Sequence, residues 1–211
     1  MKGGPQPAAG QTSPSGVDPF AGHVPFKRPF DFVFSALLLV LLAIPMLVTA
    51  VVVKFTSKGP ALYWSRRVGR DNILFLMPKF RTMKLDTPAV ATHLLRDPDG
   101  HLTPVGRFLR RTSIDELPQL LSILRGHMSF VGPRAALFNQ ADLVELRTQS
   151  GVHRIMPGLT GWAQTHGRDD VPISSKVELD EYYLRNRSWR LDLRIILRTG
   201  LQVVRGDGVA H

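Results

Sequence analysis

Two adjacent carboxylates, Asp115 and Glu116, follow the pair Arg110-Arg111 and open the apolar run Leu117-Pro118-Gln119-Leu120-Leu121. Acids set among cations at a helix start are equipped for work at a phosphorus atom. An ionised carboxylate is a nucleophile, and the free N–H groups and dipole of a helix N-terminus favour a phosphate or a carboxylate. Ser113 and Glu116 have the spacing of a capping box. Pro118, tolerated only in a first turn, argues for a slightly later start. Either reading puts Asp115 at or near the helix N-terminus. The competing reading is that both acids only cap a helix, a common use of this pattern.

A second acidic pattern is Asp97-Pro98-Asp99. Asp-x-Asp holds a metal on a nucleotide-sugar diphosphate in many glycosyltransferases, but three residues also match by chance in surface turns. Other chemistries are closed. There are no cysteines, hence no disulfides, thiolate metal sites or Cys nucleophile, and the seven histidines show no ligand spacing. The net charge of +10, from 27 Lys and Arg against 17 Asp and Glu, implies an anionic partner: nucleic acid, an anionic lipid surface or a phosphorylated substrate.

The elements that must position these residues begin with Lys27-Arg28-Pro29-Phe30-Asp31 and the 22 uncharged residues from Phe32 to Val53. A continuous helix of that length reaches roughly 33 Å, enough to cross a bilayer. Pro45 falls inside it and predicts a kink. Basic residues flank both ends (Lys27 and Arg28 before; Lys54, Lys58, Arg66 and Arg67 after), so the positive-inside rule gives no orientation. A kinked helix that enters and leaves by the cytoplasmic face satisfies both flanks.

Residues 1–25 are rich in Pro, Gly and Ser and read as a disordered leader. Past Gly59-Pro60, the segments Ala61–Ser65 and Ile73–Met77 read as a hairpin, and residues 85–100 as a loop. Val105–Arg111 and Leu117–Leu124 read as helices with Gly126 as a stop. Met128–Arg134 reads as a turn, Asn139–Gln149 as an exposed helix and Pro157–Gln164 as a Gly-rich loop. Ser175 and Glu178 form another capping box, opening a helix through Tyr182 and Tyr183. Trp189 to about Val204 interleaves leucines and isoleucines with Arg190, Arg194 and Arg198. Such a helix lies flat on an anionic membrane or packs on the core with its arginines in water.

Taken together, these motifs resemble the bacterial sugar transferase family, the monotopic phosphoglycosyl transferases. The likeness runs from Phe26 to about Val204. It is carried by Lys27-Arg28-x-Phe30-Asp31, the Pro-bearing apolar segment, Arg67-x-Gly69-Arg70, Lys79-Phe80-Arg81-Thr82-Met83 and Ser113-x-Asp115-Glu116-Leu117-Pro118-Gln119-Leu120. Val131-Gly132-Pro133-Arg134, Pro157-Gly158-Leu159-Thr160-Gly161-Trp162-Ala163-Gln164 and Leu179-Asp180-x-Tyr182-Tyr183 complete it. The resemblance implies transfer of a phospho-sugar from a UDP-sugar to a polyprenol (undecaprenyl) phosphate, by a ping-pong route that releases UMP. It implies Asp115 as nucleophile and metal ligand, Glu116 as its partner and Mg2+ as cofactor. Lys79, Arg81, Arg110, Arg111, Arg134 and Arg168 become candidate phosphate or uridine contacts, Arg110 and Arg134 foremost. The chain departs from the family pattern at His127, where Asp is usual, at Ala135, where Pro is usual, and at Ser65 or Arg66, where Gln commonly precedes the hairpin Arg.

The expected molecule is mainly α with a small β-hairpin. It is a monotopic protein of the bacterial inner membrane with its catalytic domain on the cytoplasmic face. A Pro-kinked re-entrant helix spans 26–56, a cytosolic catalytic domain with C-terminal amphipathic interfacial helices spans 57–204, and a tail follows at 205–211. Its partners are the two phosphorylated substrates and membrane lipids, with no nucleic acid and with a homodimer left open. Two other readings compete: a metal-dependent glycosyltransferase that uses Asp97 and Asp99 and releases UDP, and a non-enzymatic basic membrane-binding module.

Overall fold

Pro45 shapes the apolar segment. In the computed structural model, which describes residues 24–88, 90, 95–167 and 172–205, the segment forms two helices, α1 (Lys27–Leu41) and α2 (Ala43–Thr56), bent by 62°. Pro45 has no N–H to donate to the Leu41 carbonyl, and its ring displaces that group. The break therefore falls at Leu42 (φ −95°, ψ 6°), one turn before the proline. The ladder resumes on either side: Leu42 N–H donates to the Leu38 carbonyl (2.8 Å) and Met46 N–H to that of Leu42 (2.9 Å). Among the described residues no single helix is long and apolar enough to cross a membrane, whereas the bent pair has the length and composition. Its outward side chains, Val40, Leu41, Ile44, Leu47 and Val48 among them, are exposed and apolar.

Polar ties hold α1 to the rest. Arg28 donates to the Ile123 and Leu124 carbonyls (2.6 and 2.9 Å), Phe130 N–H donates to the buried Asp31 carboxylate (3.2 Å), and Lys27 pairs with buried Asp192. Phe30, Phe34, Phe130 and Trp189 stack around these ties.

The expected hairpin is present and longer than its alternating core: β1 (Leu62–Val68) pairs antiparallel with β2 (Leu74–Phe80), from Leu62↔Phe80 to Val68↔Leu74. The helical turns that follow are α3 (Gly106–Arg111), a 3-10 turn (Ile114–Gln119) running into α4 (Leu120–Arg125), α5 (Ala141–Gln149), α6 (Ile173–Asn186) and α7 (Trp189–Arg205). Gly126 stops α4 in the left-handed conformation (φ 86°). The molecule is mostly helical with small sheets.

Two stretches read as turn and loop contain strands. β3 (Ser129–Val131) runs parallel to β5 (Gly158–Thr160), and β4 (Ala136–Leu137) adds antiparallel to β1. Strands of two or three residues are too short to show an alternating pattern. Glycine permits the parallel pair: a Cβ on Gly158 would lie 2.1 Å from the Gly132 nitrogen, and one on Gly161 2.1 Å from the Gly132 oxygen. Leu120, Ile123, Met128, Val131, Val152, Tyr183 and Ile195 form the main core beneath.

Neither expected capping box exists. Ser113 adopts the left-handed conformation (φ 57°) with no side-chain cap, and α6 starts at Ile173 behind Pro172, which leaves Ser175 inside the first turn. Of the leader expected at 1–25, residues 1–23 lie outside the described residues; Val24 is buried and the Pro25 carbonyl accepts from Trp189 Nε1 (3.1 Å). Of the tail expected at 205–211, Arg205 is the last residue of α7 and 206–211 lie outside the described residues.

Candidate active site

Ser113 replaces a cap with a turn. Its left-handed backbone, with its N–H donating to the Arg110 carbonyl (3.1 Å), ends α3 and reverses the chain into the 3-10 turn. Glu116 N–H closes that turn on the Ser113 carbonyl (3.1 Å). Pro118 lies inside the 3-10 turn, two residues before α4 begins. Asp115 is thus the second residue of the helical segment, and both acids line one cavity of about 940 Å³.

The two carboxylates have different surroundings. Glu116 Oε1 accepts from Lys79 Nζ (2.8 Å) and Arg134 Nη2 (3.3 Å). Burial works to raise its pKa, but the charges and hydrogen bonds of Lys79 and Arg134 override burial and hold it well below the ordinary carboxylate range. Asp115 is 7% exposed and has no hydrogen bond from the described residues. Burial pushes its pKa up to about 6; Lys79 opposes the shift and the Glu116 charge reinforces it. Burial also lowers the Lys79 ammonium pKa, against the pull of Glu116. Adjacent acids driven apart in this way have separate uses: one stays an anion that holds two cations, the other is an uncommitted carboxylate.

The hairpin delivers the cations. Lys79 and Arg81 stand two apart around the end of β2, and Tyr63, Ser65 and Arg67 alternate along β1, all lining the cavity. Arg110 donates through Nε to Thr82 Oγ1 (3.1 Å), and Arg81 donates to Ser57 at the end of α2. Arg134 reaches in from the turn after β3. Its carbonyl accepts from Arg147 Nη1 (2.8 Å), and Arg147 forms a buried ion pair with Asp180 (2.6 Å). The cavity continues from this charged end to an apolar one bounded by Leu38 and Leu42 at the helix bend, Phe130, Leu159 and Ile196.

Six of the seven expected cationic and acidic site residues within the described chain therefore converge: Lys79, Arg81, Arg110, Asp115, Glu116 and Arg134. Arg111 does not; it is exposed and off the cavity, because helical spacing turns it away from Arg110. Arg168 lies outside the described residues. Asp97 and Asp99 are spent locally: Gly100 N–H donates to Asp97 (3.0 Å) and Arg107 pairs with exposed Asp99 (2.9 Å). Arg67 and Ser65 belong to the cavity and were missed as site residues, although the alternation along β1 carries their signal. Arg147 has no such signal, since its role depends on a carboxylate 33 residues away.

Among the described residues no group of three or more His, Asp or Glu side chains could hold a metal. The cavity nevertheless offers Asp115 as one uncommitted carboxylate. This donor set fits a cation bound by one protein carboxylate and substrate phosphates, the ordinary mode of Mg2+. It does not fit a site made of protein ligands alone.

The model of the bacterial sugar transferase family matches residues 22–206. The chain is 39% identical over 183 residues to the uncharacterized sugar transferase EpsL of Bacillus subtilis, covering 87% of this chain and 89% of that one. It is 37% identical over 200 residues to the exopolysaccharide production protein ExoY of Rhizobium meliloti, covering 87% and 86%. The undecaprenyl-phosphate galactose phosphotransferase of Salmonella typhimurium is 37% identical over 199 residues, covering 86% of this chain but 41% of that protein. With residues 22–206 matched, the chain belongs to the bacterial sugar transferase family.

Proposed function

We propose that this transferase moves a phospho-sugar from a UDP-sugar to a polyprenol phosphate, as the first membrane step of exopolysaccharide or related glycoconjugate assembly. The observation that carries the reading is the uncommitted, buried Asp115 beside the salt-bridged Glu116, in a chamber that is cationic at one end and apolar at the other. Relatives named for undecaprenyl-phosphate sugar phosphotransfer support it.

In this reading an Asp115 carboxylate oxygen attacks the sugar-bearing phosphorus. The bond to the nucleotide breaks, UMP leaves, and an aspartyl phospho-sugar remains. A phosphate oxygen of the polyprenol phosphate then attacks the same phosphorus, and the polyprenol diphosphate sugar departs with Asp115 restored. Lys79, Arg110 and Arg134 stand where charge migrates between oxygens, and cations placed in advance are the main source of catalysis in such a step. Glu116 holds Lys79 and Arg134 in place. Bound Mg2+, with Asp115 as a ligand, would neutralise substrate phosphate charge.

The bent apolar pair suits this work. One substrate is a lipid whose phosphate sits at the interface, and the other is a water-soluble nucleotide. Residues 26–56 form a re-entrant helix in the cytoplasmic leaflet of the bacterial inner membrane, with the catalytic domain of 57–204 on the cytoplasmic face. α7 lies along that surface: Leu193, Leu197 and Leu201 are exposed in a stripe beside Arg190, Arg194 and Arg198, while Leu191 and Ile195 face the core.

The test is which nucleotide appears when the detergent-solubilised protein meets a panel of UDP-sugars, undecaprenyl phosphate and Mg2+. UMP release that vanishes in Asp115→Asn supports the reading. UDP release, or UMP release that survives Asp115→Asn, refutes it.

A further inference from the structure

Arg81 is the one cavity cation whose charge the described residues leave unmatched by a carboxylate hydrogen bond or ion pair while it is itself almost fully buried. It is 4% exposed. Nη2 donates to the Ser57 carbonyl (2.9 Å) and hydroxyl (2.7 Å), both uncharged, while Nε and Nη1 have no hydrogen-bond partner among the described residues. Lys79 and Arg134, by contrast, share Glu116. A guanidinium stays charged when buried, and its free N–H groups then need an anion. The backbone makes room for this one: Gly59 adopts φ +111°, and a Cβ there would lie 2.2 Å from Arg81 Nη1.

The position of Arg81 selects the anion. Ser57 ends α2, where the bent apolar pair returns to the catalytic domain, and the cavity that Arg81 lines runs on to Leu38 and Leu42 at the bend. A phosphate arriving at this point comes tethered to hydrocarbon. We propose that Arg81, steadied by Ser57, is the receptor for the terminal phosphate of the isoprenoid acceptor, a site separate from the Lys79–Arg134 pair beside the dyad. The proposal rests on the functional reading above for the identity of the acceptor. The shared chemistry is a phosphoryl anion, which an isoprenoid monophosphate, a glycerophospholipid headgroup or the nucleotide donor could each bring.

Direct binding separates these sources without turnover. Farnesyl phosphate, farnesol and phosphatidylglycerol are titrated into the full-length protein in detergent, and binding is read by tryptophan fluorescence. Farnesyl phosphate binding weakens roughly 10- to 100-fold in Arg81→Gln, the size expected for lost charge-assisted hydrogen bonds. Farnesol binding changes far less. Arg81→Lys, which keeps the charge, falls between the two and carries the test if Arg81→Gln does not fold. In single-turnover assays the step to lipid loses at least tenfold more than nucleotide release. Equal farnesyl phosphate affinity in both variants and the parent overturns the proposal. So does phosphatidylglycerol competing as well as farnesyl phosphate, or a loss confined to nucleotide release. Absence of nucleotide release in the parent protein would strike the functional reading alone, since the binding result stands by itself.

Discussion

Asp115→Asn should abolish turnover and at the same time make the protein more stable. Asp115 carries its charge in a buried setting that raises its pKa from 3.8 to about 6. The folded protein therefore holds this proton more tightly than the unfolded chain. The stability linked to the proton is fully present below the unfolded value and is lost as pH rises through the folded one. About two pKa units correspond to about 3 kcal/mol of destabilisation once Asp115 is ionised, an upper figure because surroundings relax on mutation. Asn keeps the shape and never pays that cost. For a chain of this size each kcal/mol moves Tm by about 2–4 °C, so the variant should melt several degrees higher at pH 7.5. The advantage should narrow as pH falls through about 6 and approach zero only below the unfolded value of 3.8, where the parent side chain is protonated in both states. Thermal unfolding followed by tryptophan fluorescence in detergent, without Mg2+ or nucleotide, checks both halves. A variant no more stable than the parent at pH 7.5, or a gap that does not close on acidification, would refute the account of Asp115.

The same ionisation sets a rate profile: donor-side nucleotide release should rise with pH through about 6 and level above 7, and a flat single-turnover profile from pH 5 to 8 contradicts it. Glu116→Gln removes the like charge that raises Asp115 and frees Lys79 and Arg134 to act on it, so the acidic limb should shift to lower pH while the plateau rate drops roughly 100-fold. Asp97→Asn with Asp99→Asn should alter the rate of sugar transfer by less than about twofold, because both side chains serve surface contacts. Gly158→Ala should yield little folded protein, as its Cβ would meet backbone atoms at 2.1 and 2.3 Å, and a normal melting curve would contradict that. The chain has no cysteine, so single labels at Phe26→Cys and Lys58→Cys report topology cleanly; both should react from the cytoplasmic side only, and labelling of one from outside would exclude a re-entrant helix.

Sequence alone determined the features that depend on near neighbours. The apolar segment follows from composition, and its break from Pro45, since the clash with Leu41 acts within one turn. The hairpin follows from alternation around Arg66–Asn72, and the end of α4 from Gly126. The acids at the start of the 3-10 turn are legible for the same reason, although the capping box read from Ser113 is not what holds them. Tertiary structure decided everything that needs a distant partner. β3 and β5 pair only because Gly132 and Gly158 let two backbones meet across 26 intervening positions or so, a closeness that no short-range pattern announces. Glu116 is salt-bridged because Lys79, 37 residues before it, and Arg134, 18 after it, fold onto it. Asp115 differs from its neighbour through burial and surrounding charge, which are properties of the assembled chamber. Two adjacent acids look equivalent in a sequence; only packing around them makes one an anchor for cations and leaves the other free.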